Sequence, residues 1–166
     1  MAALVGTHYR FDDFYEVGRE KVREYARAVQ DYHPAHWSEE SARELGHDDL
    51  LAPLTFISLV GILAQTKMFE EISVGYDLSQ IMQTDQVLTF HQPLKVGDRI
   101  TCDVSLDSFR QMAGTDIIVT KNIVTNQHGD RLQTTYTTLI ARSSDDVDID
   151  ITDAVKGVMM HAVTKV

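Results

Sequence analysis

The sequence predicts an α+β domain in which an antiparallel sheet wraps around one long buried helix. Residues 53–72, "PLTFISLVGILAQTKMFEEI", are apolar around nearly the whole circumference of their first turns, and such a helix must be surrounded by other protein. Four segments rich in β-branched residues follow, at 87–91, 99–109, 116–125 and 131–141. Because no helical pattern separates these segments, we expect them to pair antiparallel.

The second of these segments has the alternating pattern of a strand that buries one face. Its apolar positions are Ile100, Cys102, Val104 and Leu106, and polar residues stand between them. Turn signals at 92–98, "QPLKVGD", and at 126–130, "NQHGD", join neighbouring strands. A buried helix followed by such a meander indicates the hot-dog fold, with a generic α+β sandwich as the alternative.

Two shorter helices and a loop precede the buried helix. Residues 16–30 have apolar side chains at i, i+3, i+4 and i+7, the spacing of one helical face. These side chains belong to Val22, Tyr25, Ala26 and Val29. Pro34 prevents the helix from continuing, so residues 31–36, "DYHPAH", are predicted to form a loop. Ser38 then suits the N-cap of a short helix that ends before Gly46.

Composition and charge exclude several classes of protein. The chain has 166 residues and a formal net charge of −10, which argues against nucleic-acid or anionic-membrane binding, since both need a basic surface. No apolar run reaches the roughly 18 residues of a membrane span, and the N-terminal residues lack the pattern of a signal peptide. The single cysteine, Cys102, excludes an internal disulfide and is expected to lie in the core. We therefore expect a cytoplasmic protein.

Acidic residues are concentrated near the C-terminus. The segment "SSDDVDIDITD" contains five aspartates and no basic residue. We therefore predict two regions, a hot-dog domain at 1–143 and an acidic C-terminal tail at 144–166.

The predicted loop contains the residue types that acid–base chemistry needs. Asp31 and His36 are five positions apart, and Pro34 between them stiffens the turn. Histidine titrates nearest neutral pH, which suits His36 to the role of a general base. A solvated polar connector is the alternative interpretation. A metal site from Asp31, His33 and His36 is not expected, because three ligands so close together in a proline turn rarely converge.

This loop resembles the Asp-x-Asn-Pro-x-His pattern of the (R)-specific enoyl hydratases and dehydratases, the MaoC-like hot-dog proteins. Asp31, Pro34 and His36 match the pattern, and His33 stands at the asparagine position. Four longer blocks resemble the A and C subunits of the mycobacterial (3R)-hydroxyacyl-ACP dehydratase. They are "YEVGREKVREYARAV", "LLAPLTF", "DQVLTFHQPLKVGDRI" and "GTDIIVTKNIVTN". The resemblance covers residues 4–142, so the tail lies outside it.

The resemblance implies a hydro-lyase of type II fatty-acid or mycolic-acid elongation that acts on acyl-ACP or acyl-CoA without a cofactor. It also implies a dimer, either of two identical chains or with a catalytic MaoC-type subunit. In the mycobacterial enzyme, A- and C-type subunits lack the acid–histidine pair and a B-type partner does the chemistry. This sequence keeps both Asp31 and His36. Catalytic members have His-Gly where the buried helix begins, whereas this sequence has Pro53-Leu54.

The implied reaction assigns roles to named residues. His36 removes the C2 proton from a 3-hydroxyacyl thioester, and Asp31 holds the departing water. The thioester carbonyl needs a hydrogen-bond donor at the start of the helix. Because Pro53 has no N–H, that donor is the backbone of Leu54 or Thr55.

An acyl chain also needs an apolar tunnel. The predicted tunnel residues are Leu59, Ile62, Leu63 and Phe69 on the buried helix. The small and polar residues of that helix are interpreted as packing residues, namely Ser58, Gly61 and Gln65. An acidic carrier protein needs a basic docking patch, and the candidates are the cations of the first helix and of one turn. They are Arg19, Lys21, Arg23, Arg27, Lys95 and Arg99. Three functions stay open, namely a hydro-lyase, a non-catalytic acyl-binding subunit, and a small-ligand binding module.

Overall fold

An antiparallel sheet and one central helix dominate the computed structural model, which describes residues 2–10, 12–72 and 81–142. The strands are β1 (His8–Arg10), β2 (Tyr15–Glu16), β3 (Met82–Phe90), β4 (Arg99–Met112), β5 (Thr115–Thr125) and β6 (Arg131–Arg142). The α-helices are α1 (Arg19–Ala28), α2 (Glu39–Glu44) and α3 (Ser58–Ile72). This arrangement confirms the predicted hot-dog fold.

Strand pairing follows the predicted meander. The order across the sheet is β1-β4-β5-β6-β3, with β2 also paired to β4, and every pairing is antiparallel. The strand β3 forms one edge, and each of its nine residues is exposed. It starts at Met82, five residues before the predicted strand at 87–91, because residues 82–86 lack the apolar alternation that marks a strand in sequence.

The core lies between α3 and the apolar half of the sheet. Val60, Ala64 and Met68 recur at i, i+4 and i+8, so one stripe of α3 is buried. This stripe packs in one cluster with Ile100, Cys102 and Val104 of β4. The predicted alternation of β4 is thereby confirmed. Burial raises the pKa of the Cys102 thiol to about 12, which keeps it protonated and unreactive at neutral pH.

Helix ends differ from the sequence-based expectation by small amounts. The central helix starts with a 3₁₀ turn at Leu54–Ile57 before α3 begins, and Pro53 is the N-cap residue instead of the first helical residue. The backbone of Pro53 is extended there, with ψ 146, so it cannot belong to the helix. Gln30 ends α1 because its φ of 57 lies in the left-handed region.

The short N-terminal strands were absent from the prediction, since segments of two or three residues carry no measurable periodicity. The predicted domain boundary at 143 and the acidic tail at 144–166 lie outside the described residues. Within the described ranges, no helix combines the length and the apolar character needed to cross a membrane.

Candidate active site

The loop between α1 and α2 brings the predicted acid and histidine together. The backbone N–H of Asp31 donates to the carbonyl of Ala26 over 2.8 Å, which closes the end of α1. A 3₁₀ turn follows at Pro34–His36, as the fixed φ of proline at a first helical position allows. As a result, His36 Nε2 lies 3.1 Å from Asp31 Oδ2.

A backbone carbonyl fixes the orientation of the His36 ring. His36 Nδ1 lies 2.7 Å from the carbonyl oxygen of Leu51. A carbonyl can only accept, so Nδ1 carries the hydrogen and Nε2 faces Asp31. The backbone N–H of Leu51 in turn donates to the carbonyl of Ala35 over 3.0 Å. The imidazole is therefore held on two sides, and only 9% of its side chain is exposed, against 41% for Asp31.

This geometry bears on whether a proton lies between His36 and Asp31. A neutral His36 with its hydrogen on Nδ1 would present an acceptor at Nε2 to a carboxylate that is also an acceptor. At 3.1 Å the two atoms form a hydrogen bond when a proton lies between them, and without that proton Nε2 offers a lone pair. The backbone N–H of His33, which donates to Asp31 Oδ1 over 3.2 Å, and then the His36 side chain lower the pKa of the Asp31 carboxyl. The pair can thus hold or release one proton, as acid–base chemistry needs.

The central helix starts shortly after the residue that anchors His36. Leu51, which anchors His36, is followed by Ala52, Pro53 and then the 3₁₀ turn. Leu54 begins that turn, and the residue is 62% exposed. The carbonyl of Thr55 accepts from Tyr25 Oη over 2.8 Å, which ties this turn to α1. The backbone N–H groups predicted as donors are therefore in the first turn of a helical segment.

Two hollows lie along the central helix. A small one of about 20 Å³ at the helix start is lined mainly by apolar residues, among them Pro53, Leu54 and Phe90. A larger cavity of about 210 Å³ lies further along, between α3 and the sheet. Ile57 and Gln133 line both hollows, so the two hollows are neighbours. Asp31 and His36 are not among the described residues that line either hollow.

The described lining of the cavity includes residues that the tunnel prediction did not name. Leu59 packs against the core cluster and is not among the described residues that line the cavity. The side chains of the other predicted tunnel residues lie outside the described part of the chain, namely Ile62, Leu63 and Phe69. On the helix side, the described residues that line the cavity include Ser58, Gly61 and Gln65, which were expected to be packing residues. Their spacing of i, i+3 and i+7 on an otherwise apolar helix was the signal that could have identified them.

The cations of α1 are largely neutralised by neighbouring acids. The ion pairs are Arg19–Glu39 at 2.5 Å, Lys21–Glu24 at 3.1 Å and Arg23–Glu20 at 2.8 Å. Arg27 lies over the ring of Trp37, 5.5 Å from its centroid. This helix therefore presents a balanced surface, which argues against the predicted docking patch for an acidic partner. In the described residues, no group of three or more potential ligands is placed to hold a metal ion.

Comparison with known proteins identifies the family. The model of the FAS1-like dehydratase domain region matches residues 3–135. The chain belongs to this family. A UPF0336 protein of Mycobacterium tuberculosis is 52% identical over 145 residues, which cover 87% of this chain and 92% of that protein. A UPF0336 protein of Mycolicibacterium paratuberculosis is 51% identical over 151 residues, covering 91% and 95%.

Solved structures agree with this membership. A C-terminally truncated HadBC (3R-hydroxyacyl-ACP dehydratase) complex from Mycobacterium tuberculosis is 40% identical with a TM-score of 0.76, over 83% of this chain and 97% of that chain. A MaoC-like dehydratase is 44% identical with a TM-score of 0.81, over 93% of this chain and 47% of that chain. The resemblance to MaoC-like hot-dog proteins is confirmed, and the hydratases and dehydratases are the group to which this chain is related.

Proposed function

We propose that this FAS1-like dehydratase domain interconverts (3R)-3-hydroxyacyl thioesters and trans-2-enoyl thioesters. The contact of 3.1 Å between His36 Nε2 and Asp31 Oδ2 is the observation that carries the proposal. A solvated connector does not require a buried imidazole whose other nitrogen is fixed by a backbone carbonyl at 2.7 Å. The identity of more than 40% to a MaoC-like dehydratase supports the same reaction class.

In the proposed dehydration, the pair starts without a proton between its two side chains, and His36 Nε2 takes the C2 proton of the substrate. The electron pair of the broken C2–H bond forms the C2–C3 double bond, and the C3–O bond breaks. The leaving hydroxide receives this same proton from His36 Nε2 and departs as water held by Asp31. The backbone N–H of Leu54 or Thr55 stabilises the negative charge that develops on the thioester oxygen. Hydration is the same sequence of steps in reverse.

A second chain completes the proposed active unit. The edge strand β3 exposes four large apolar side chains, of Met82, Val87, Leu88 and Phe90. An open edge with such side chains is suited to pairing with another strand. The related HadBC protein is a complex of two kinds of chain. We therefore place the partner, a second copy or a MaoC-type chain, along β3.

A non-catalytic acyl-binding subunit is the alternative function. Two observations favour it, because Pro53-Leu54 occupies the helix start and the acid–histidine pair lies outside the two hollows that the described residues line. In that case, a partner chain would supply the reacting groups, and this chain would hold the acyl tail.

The test compares hydration rates of crotonyl and longer enoyl thioesters by the wild-type chain and by His36→Ala. Loss of a general acid–base group lowers kcat/KM by about 10²–10⁴-fold. His128→Ala is the matched control, because His128 is an exposed histidine outside the site. Unchanged hydration by His36→Ala would remove the pair from the mechanism. Activity only with a MaoC-type partner, and insensitive to His36→Ala, would establish the alternative.

A further inference from the structure

The sheet face towards α3 changes from apolar to polar across its width. Val104 of β4 is in register with Asn122 of β5, and Asn122 is in register with Thr135 of β6. One row further along, Thr120 of β5 is in register with Thr137 of β6. All five residues line the cavity of about 210 Å³. The part of the sheet near the edge strand β3 therefore presents amides and hydroxyls to the helix, where a hot-dog core would ordinarily be apolar.

The polar groups of this cavity are only partly satisfied within the described chain. Gln133 Nε2 donates to Thr135 Oγ1 over 3.0 Å, and Gln86 Nε2 donates to Thr137 Oγ1 over 3.3 Å. Asn122 Oδ1 is buried and has no hydrogen-bond partner among the described residues. Burial of polar groups destabilises a fold unless partners are supplied. Packing alone therefore does not account for this lining.

The helix side of the cavity also carries polar groups, on Ser58 and Gln65, beside the apolar Ile57. Ser58, Gly61 and Gln65 lie on one helical face and line it. A Cβ atom at Gly61 would lie 3.7 Å from Asn122 Nδ2, so glycine keeps the space between helix and sheet open. From Ser58 to Gln65 the helix advances about 10 Å. The polar lining thus continues well beyond the helix start, where the thioester is placed.

We propose that this cavity binds the distal part of an acyl chain that carries a hydroxyl or a similar hydrogen-bonding oxygen group, in preference to a plain hydrocarbon chain. The proposal rests on the acyl-thioester function proposed above. The apolar hollow at Pro53, Leu54 and Phe90 receives the carbons next to the thioester, and the cavity beyond Ile57 receives the substituted carbons. A hydrocarbon would displace water and leave amides and hydroxyls unpaired, whereas a hydroxyl group both donates and accepts.

The experiment measures binding without turnover. His36→Ala is titrated calorimetrically with two saturated acyl-CoA esters of equal chain length, one with a mid-chain hydroxyl group and one without. One or two neutral hydrogen bonds predict that the hydroxylated ester binds about tenfold more tightly. The same comparison is made in Thr120→Val, which removes a cavity hydroxyl at nearly constant volume. That variant is expected to lose several-fold of the preference.

Thr138→Val is the matched control for the cavity variant. Thr138 is the residue next to Thr137 on β6, so its side chain lies on the opposite face of the strand. The control is expected to keep the full preference. If Thr120→Val does not fold, the comparison of the two esters in His36→Ala alone still decides the proposal, since it requires no change in the cavity.

The outcomes separate this proposal from the proposed reaction. Equal or tighter binding of the plain ester, or no binding of either ester, would overturn the cavity proposal. A preference for the hydroxylated ester supports it, whatever the wild-type chain does with crotonyl-CoA. Failure of the wild-type chain to hydrate enoyl thioesters under any pairing, with the binding preference intact, would overturn only the proposed reaction.

Discussion

Replacement of Gly61 by alanine tests the distance between the central helix and the polar half of the sheet. Gly61 lies inside α3, where glycine is less favourable than alanine by about 1 kcal/mol. The new methyl group would lie 3.7 Å from Asn122 Nδ2, an ordinary van der Waals contact that causes no strain. We therefore expect Gly61→Ala to raise the free energy of unfolding by about 1 kcal/mol.

The assay is thermal unfolding followed by circular dichroism. For a chain of this length, a gain of that size raises Tm by about 2–4 °C. Ala64→Gly on the same helix is the control, and because Ala64 is buried, it should lower Tm by at least as much. A Tm for Gly61→Ala below that of the wild-type chain would refute the reasoning, since it would mean that Asn122 lies closer to the helix.

Three further predictions concern the core, the pair and the edge. Phe56→Ala should cost about 3–5 kcal/mol in urea unfolding, because Phe56 is fully buried against two tyrosine rings. The pKa of Asp31 is lowered on folding, so the unfolded chain binds more protons. The Asp31 carboxylate therefore stabilises the fold above pH 3.8, and this contribution is lost as the pH falls below that value. In Asp31→Asn, the free energy of unfolding should depend less steeply on pH in this acid range. Val87→Lys should make the chain monomeric in sedimentation experiments, whereas an unchanged dimer would exclude β3 as the interface.

Most of the fold could be predicted because its signals are local and periodic. The alternation from Ile100 to Leu106 fixed β4 and its buried face, and Pro34 fixed the end of the first helical region. The start of β3 at residues 82–86 could not be predicted, because an edge strand that is exposed on both faces has no apolar period.

The candidate site was predictable in part. The spacing of Asp31 and His36 around Pro34 indicated two side chains that could converge, and they do. The anchor of His36 could not be predicted, because the carbonyl of Leu51 is a backbone group 15 residues away, available only in three dimensions. The polar cavity was missed for a related reason, since Asn122 and Thr135 read as ordinary strand residues until the register places them side by side.

The most direct test of the central claim, that Asp31 and His36 form a working acid–base pair, is hydration of an enoyl thioester in deuterium oxide, followed by NMR of the product. The wild-type chain, alone or with its partner, should form (3R)-3-hydroxyacyl thioester with one deuterium at C2 in a single configuration. His36→Ala should form it about 10²–10⁴-fold more slowly. Formation of the same product at the wild-type rate by His36→Ala would contradict the account.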